Sequence, residues 1–313
     1  MYSCRQSRLH ELAVGDRLWL VSRCPDDNQY RFVAALTISG LQRNAPASSA
    51  YDIFGEFAVV ADRSRSHDLG RRFPAEGLLR AFEFETRRPV RFGSSLGQSL
   101  QAIRFATSAE ERVLDAGLHR ILRDEHRWLD APFGLWTKCD RVFADYFLKN
   151  WQVRGAPLAF LLYDSLPALA AGSAVFIHSD KTLRLVGRFV ESQFVSGHKH
   201  TVEADERRME RDRVWDTWRA TTIDPPTLDE FAAFWDAQNG VRGLFVVDNL
   251  VELAGELDFK TYGRALEWGF PMGVGYRYLT LSQSLLLLHG TDQSEHMIDT
   301  YILPQLNLRT RLA

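Results

Sequence analysis

Cysteine is scarce. Cys4, Cys24 and Cys139 are the three in 313 residues, and they lie too far apart for a disulfide framework or a CxxC metal pair. No stretch approaches the ~18 consecutive apolar residues of a membrane helix. The N-terminus lacks the charged-then-apolar order of a secretory signal. A cytoplasmic protein without membrane contact is therefore the expectation. Charge of one sign is lacking too: net charge is −2, from 38 Lys and Arg against 40 Asp and Glu. The chain as a whole is not a polycation, so any phosphate contact must come from local patches. There is no Walker-type loop, no HExxH and no pair of metal-binding carboxylates. No metal or cofactor is expected.

What is present is an ordinary globular composition, 45% apolar and 25% charged, in a length that suits two domains. Positive charge concentrates in one segment that holds Arg63, Arg65, Arg71, Arg72, Arg80, Arg87, Arg88 and Arg91. The chain also echoes itself. Leu12-Ala-Val-Gly-Asp-Arg-Leu-Trp-Leu-Val-Ser22 returns as Leu169-Ala-Ala-Gly-Ser-Ala-Val-Phe-Ile-His-Ser179. The two share Leu, Ala, Gly and Ser, with Leu18 against Val175 as a match in kind. Arg31–Ser39 reads against Arg184–Ser192, Leu78–Phe92 against Leu244–Phe259, and Ile103–Ser108 against Tyr276–Leu281. Four echoes in the same order predict a duplicated module.

Alternation of apolar and polar residues predicts strands at Arg17–Arg23, Tyr30–Ser39, Tyr51–Ala61 and Leu78–Glu85. Asp26-Asp-Asn28 is read as a hairpin turn, Gly40–Ala50 as a loop, and Pro89–Phe92 as the close of the fourth strand. Thr107 with Glu110 three residues on is a capping box that opens a helix to about Arg123. Helical spacing follows over Asp140–Trp151. In the second half, strands are predicted at Ala156–Tyr163, Leu169–Ser179, Leu183–Ser192 and Gly243–Leu253, with a turn at Asp180-Lys181. A long insertion, 193–242, holds a charged helix over Glu203–Arg219 and a second helix opened by Thr227. The predicted domains are a first module at 1–123, a helical connector at 124–155, and a second module at 156–313 with its insertion.

The order of elements resembles the PUA-like superfamily, in particular its EVE and ASCH branches and the YTH readers. The resemblance is carried by Leu169-Ala-Ala-Gly172, Val175-Phe-Ile177, Leu183–Val190, Val246–Leu253 and Gly275-Tyr-Arg-Tyr-Leu279. It implies an α+β chain of two small antiparallel β-barrels with flanking helices. It also implies a pocket for a single base, often modified or flipped out of its helix, in readers that serve bacterial defence. The leading expectation is recognition of a modified base in DNA in an anti-phage setting. The alternatives are a DNA glycosylase that excises the modified base, an RNA-modification reader, and a protein-interaction adaptor. The protein partner is left open. Fold alone does not choose among these.

The candidate residues follow from chemistry. Gly197-His-Lys-His-Thr-Val-Glu203 partly matches the GxKxxExR pattern of ASCH domains: Gly197 and Lys199 fit, while Glu203 comes one residue late and Arg207 four after it instead of two. Lys199 between His198 and His200 suits phosphate binding or proton transfer, or a polar loop tip. The two histidines have no third metal ligand at useful spacing. Trp215 and Trp218 share a helix face, suited to stack on bases or to anchor the inserted helix. Tyr276 and Arg277 belong to an aromatic group with Trp268, Phe270 and Tyr278. In the first module, Tyr51, Asp52, Asp62, Arg63 and Arg65 form the comparable group. A carboxylate there, Asp62 first and Asp52 second, would activate water against the sugar of an extruded nucleotide.

Overall fold

The computed structural model describes residues 2–4, 7–46, 48–49, 51, 55–85, 100, 103–123, 129, 131–139, 141–155, 157–162, 168–194, 208–209, 211–213, 215–216, 219, 227–229, 232, 243–266, 268, 276–289 and 294–308. The chain is α+β and divides into two compact units, Met1–Trp128 and Leu129–Ala313. Among the described residues, no helix is long and apolar enough to cross a membrane.

The first unit is built on one long strand. β1 (Tyr2–Cys4) and a 3₁₀ turn (Ser7–Glu11) lead to β2 (Arg17–Arg23), β3 (Tyr30–Arg43), β4 (Phe57–Ala61) and β5 (His67–Pro74). The strand order is β1-β4-β3-β2, with β5 also on β3, all antiparallel. One half of β3 lies between β2 and β5, and the other half pairs with β4. Register shifts at Leu20/Val21, Phe32/Ala34 and Ile38/Gly40 are where the ladder bends and gains twist. Trp19 stands edge-on to Phe32 and Phe73, with ring centroids 5.5 and 6.0 Å away. Leu9, Leu12, Ile38 and Val59 form a second buried cluster. Each such side chain contributes roughly 1.5–3 kcal/mol by leaving water. The unit also contains α1 (Glu76–Ala81) and α2 (Ser108–Leu122).

The second unit carries a six-stranded sheet. Its elements are β6 (Gly134–Lys138), α3 (Arg141–Arg154), β7 (Leu158–Leu162), β8 (Ala174–Ser179), β9 (Thr182–Phe194) and β10 (Gly243–Asp258), then α4 (Phe259–Ala265), β11 (Tyr276–Leu279) and α5 (Leu281–His289). α6 (Ser294–Met297), a π turn (Ile298–Ile302) and α7 (Leu303–Leu308) follow. The order is β11-β6-β8-β9-β10-β7. Every residue of β8 is buried, as its nearly unbroken apolar run requires of a strand covered on both faces. Asp180 and Lys181 both adopt positive φ, 46° and 73°, in the tight hairpin that joins β8 to β9.

Several expectations change. Neither sheet closes into a barrel among the described residues, and β6 pairs with β8 in parallel. The stretch 124–155, expected as a helical connector, contains β6, which lies between β8 and β11 in the sheet. α3 of the same stretch places Ala144, Phe147 and Leu148 in that unit's core. Strand β3 runs on through Gly40–Arg43, and β4 starts at Phe57 rather than Tyr51. Leu78–Glu85 is not a strand: its first half is α1, with Leu78, Leu79, Ala81 and Phe82 buried. That spacing suits a helix face, and Glu76 pairs with Arg80 one turn on. Pro89–Phe92 lies outside the described residues. Of the insertion, residues 208–209, 211–213, 215–216, 219, 228–229 and 232 are described and helical.

The first echo does fold alike in both units. Gly15 N–H donates to Ile38 C=O and Ile38 N–H to Asp16 C=O; Gly172 N–H donates to Phe189 C=O and Phe189 N–H to Ser173 C=O. Both glycines hold positive φ, 102° and 88°, which a side chain would strain. The fourth echo also agrees at its end. Thr107 with Glu110 and Thr280 with Gln283 each form a reciprocal capping box. The third does not, because residues 78–81 are helical and 244–258 are strand.

Candidate functional site

The first unit contains a cavity of about 820 Å³, within the range of small-molecule sites. One wall is Arg17–Val21, five consecutive residues of β2. Side chains of a strand alternate between its faces, so a run of five lining residues means that the strand presents its edge. β2 is the outermost strand of its sheet among the described residues. Its outward N–H and C=O groups therefore face the cavity unpaired by any described strand. The other walls are Phe32 and Val33 of β3, Leu79, Phe82, Phe84 and Glu85 around the end of α1, Ile103–Ala106, and Glu111 and Leu114 of α2.

Phe84 is the unusual member. Its φ is +56°, a left-handed conformation that costs a bulky residue free energy and persists only when its surroundings over-determine it. Here the over-determining group is Glu110, fully buried at the start of α2. Its carboxylate accepts from the backbone N–H of Glu83 at 2.6 Å, of Phe84 at 3.2 Å and of Thr107 at 2.8 Å. The capping box read from sequence thus has a second task, holding the Phe84 turn against the cavity. Phe82 meets the Phe84 ring edge-on at 6.0 Å. The Arg104 guanidinium lies 5.4 Å from the same ring's centroid.

The charges around the cavity are unequal. Among the described residues, Glu11, Asp16, Glu85 and Glu111 line it against Arg17 and Arg104. Arg17 forms an ion pair with Asp115. Arg8 grips Glu11 through two bonds of 3.0 Å and sits 4.4 Å above the Phe105 ring. That grip holds the Glu11 carboxyl below the usual carboxylate range. The Nε of Arg17 is buried without a hydrogen-bond partner among the described residues.

None of the sequence-predicted residues that are described lines this cavity. Asp62 caps its own turn: its carboxylate accepts from the Ser64 N–H at 2.9 Å and the Ser64 hydroxyl at 2.7 Å. Those bonds lower its pKa, which makes it a weaker base. Arg63 and Arg65 are exposed on that turn. The turn is tied to Thr37, whose hydroxyl donates to the Arg65 carbonyl. Thr37 faces Arg17 across β2 and β3, so the two arginines lie one strand from the cavity wall. Tyr51 is half-buried, its N–H on the Ser48 hydroxyl. Trp215 lies under the Arg219 guanidinium at 4.4 Å. In β11, Tyr276 packs on the second unit's core and Arg277 covers Trp268 at 5.2 Å. Asp52, Lys199, His198, His200 and Trp218 lie outside the described residues. Gly93-Ser-Ser-Leu-Gly97, which spells GxSxG and is not among the expected sites, lies outside them as well.

A buried polar chain in the second unit was invisible to spacing arguments. The Trp136 indole N–H donates to the Tyr262 hydroxyl at 3.2 Å, and that hydroxyl meets His178 Nδ1 at 2.5 Å. The indole only donates, and which of Tyr262 and His178 donates in the second bond follows the imidazole tautomer. Burial, with Lys138 adding to it, pushes the His178 imidazole down to about 4. Among the described residues no three His, Cys, Asp or Glu side chains cluster as metal ligands would.

No protein-family model matches the chain, and no curated protein matches it. Solved structures of an ASCH protein from Zymomonas mobilis and of two of its point variants do match, at 7–9% identity. They cover 51–52% of this chain and 98–99% of their own, with a TM-score of 0.37. At that TM-score the likeness carries no argument about fold or function.

Proposed function

We propose that the first unit is a nucleic-acid recognition module whose cavity receives one extruded base. The observation that supports this most is the meeting of aromatic walls with the free edge of β2. A nucleobase has two flat faces and a polar rim. Phe84 and Phe105 suit the faces, where stacking contributes roughly 1–3 kcal/mol per base. The outward N–H and C=O groups of β2 suit the rim. Arg63 and Arg65, exposed on their turn, suit the flanking phosphates. A cavity of about 820 Å³ has room for a base that carries a substituent, which is the modified-base form of this reading. A role in defence against phage is its biological extension, and DNA is the favoured polymer.

Base excision is the second reading. It draws on Glu85 and Glu111, exposed rim carboxylates with no ion pair among the described residues. Abasic sites in modified DNA after incubation with the protein would establish it.

The test of recognition is anisotropy with a labelled single-stranded oligonucleotide at several salt concentrations. Phe84→Leu keeps an apolar side chain and removes the ring, and is expected to weaken binding about tenfold. Replacing Arg63 and Arg65 by Ala is expected to reduce the salt slope by about 1–2. Unchanged affinity in Phe84→Leu, with the fold intact by circular dichroism, removes the cavity from the binding surface.

A further inference from the structure

We infer that the first unit's cavity is a strand position, and that it takes an extended peptide segment of a partner protein, added to the edge of β2 and parallel to it. The inference goes beyond base recognition and stands without it. A strand and a base cannot share the cavity, so peptide and nucleic acid exclude each other there.

The second unit supplies the template. Its first echo sets Arg17–Val21 against Ala174–His178, and its fourth sets Ile103–Ala106 against Tyr276–Leu279. β6 pairs in parallel with Ala174–His178 and antiparallel with Tyr276–Leu279, residue for residue. The same two runs are walls of the first unit's cavity. Gly134 of β6 extends the match. A Cβ on it would meet Ser284, Ala174 and Leu279. Counted from the capping threonines and the shared turn, their counterparts are Glu111, Ala106 and Arg17, and all three line the cavity. Where the second unit holds β6, no described strand stands in the first: β1, which precedes β2, pairs with β4.

The faces and the main chain agree. Leu18 and Ile103 pack on the Leu9 cluster, as their counterparts Val175 and Tyr276 belong with the second unit's core. Leu279 C=O points at β6, where it accepts from the Phe133 N–H. Carbonyls alternate in direction along an extended chain, so the counterparts of Leu279 and Arg277, which are Ala106 and Arg104, turn theirs to the cavity. Those of Phe105 and Ile103 turn away, and these are the ones that accept from the Glu85 N–H and from Arg8. Main-chain pairing of this kind provides affinity, and alternate side chains provide specificity. β6 gives the pattern: a small residue first, as Gly134, then an apolar one facing Leu18, as Leu135, then an aromatic one on the face of Trp19, as Trp136.

The test is anisotropy of a labelled peptide with the β6 sequence, Phe-Gly-Leu-Trp-Thr-Lys, titrated with the full chain and then photo-crosslinked from its leucine position. Saturable binding is expected, with crosslinks to Arg17–Val21 or Ile103–Ala106. N-methylation of the leucine, tryptophan and threonine amides keeps the side chains and removes the donors, and is expected to weaken binding about tenfold. Unchanged affinity after N-methylation overturns strand addition, and crosslinks confined to the second unit overturn its location. Binding that appears only when residues 87–98 are replaced by a glycine-serine linker assigns the position to the chain's own segment and overturns the partner. No binding to either protein overturns the strand position. A bound peptide that leaves oligonucleotide affinity unchanged removes the base from the cavity and leaves the strand position standing.

Discussion

Phe84 and His178 are both held in states their own chemistry disfavours. Phe84 keeps a left-handed backbone because three N–H groups converge on one buried carboxylate beside it. His178 is kept neutral by burial. Its pKa of about 4 compares with ~6.5 in an unfolded chain. As pH falls through ~6.5 the unfolded chain takes up a proton that the folded chain refuses until about 4. The stability held by the neutral imidazole is therefore complete above ~6.5 and is lost on the way down to about 4. The loss is at most about 3 kcal/mol. Thermal melts between neutral and acidic pH are expected to show a shallower fall in Tm for His178→Phe than for the parent protein. Identical slopes would mean that His178 does not set the acid sensitivity.

At the scale of elements, α2 does more than cover the sheet. Its first turn ties the chain before it to the chain twenty-odd residues earlier, through Thr107 and Glu110. The helix start was legible because a capping box is local: both partners lie within four residues. The grip on Glu83 and Phe84 was not, since sequence spacing of 26 and 27 residues carries no periodic signal. Glu110→Ala leaves those amides to find water or stay unpaired, and is expected to lower stability by about 2–4 kcal/mol in urea unfolding. It should also weaken oligonucleotide binding by releasing Phe84. A loss of under 0.5 kcal/mol, a surface-like value, would contradict the anchoring role. The misreading of α1 has the same origin in reverse. Leu78, Leu79 and Phe82 fit a helix face, but a run this short also offers apolar and polar neighbours in alternation.

For the whole molecule, the boundary matters most. β6 sits in the middle of the second sheet, between β8 and β11, and Gly134 has no room for a side chain: an added Cβ would lie 2.7 Å from the Ser284 hydroxyl. A fragment of residues 129–313 is expected to give a cooperative thermal transition. A fragment of 156–313 lacks β6 and α3 and is expected to give none, because the central strand β8 loses a neighbour and the core loses Phe147 and Leu148. A cooperative melt from 156–313 would restore the shorter domain.

The sequence by itself determined the class of elements, the Gly15 and Gly172 turns, both threonine-capped helices and the tight Asp180-Lys181 hairpin, all features whose causes lie within a few residues. Tertiary structure alone decided that β6 joins the second sheet, that neither sheet closes among the described residues, and that Trp19, Phe84, Phe105, Arg17 and Glu111 share one cavity. Those outcomes depend on pairings and burial between residues far apart in the chain. No local propensity records such contacts, and the free energy that selects them exists only once the elements have met.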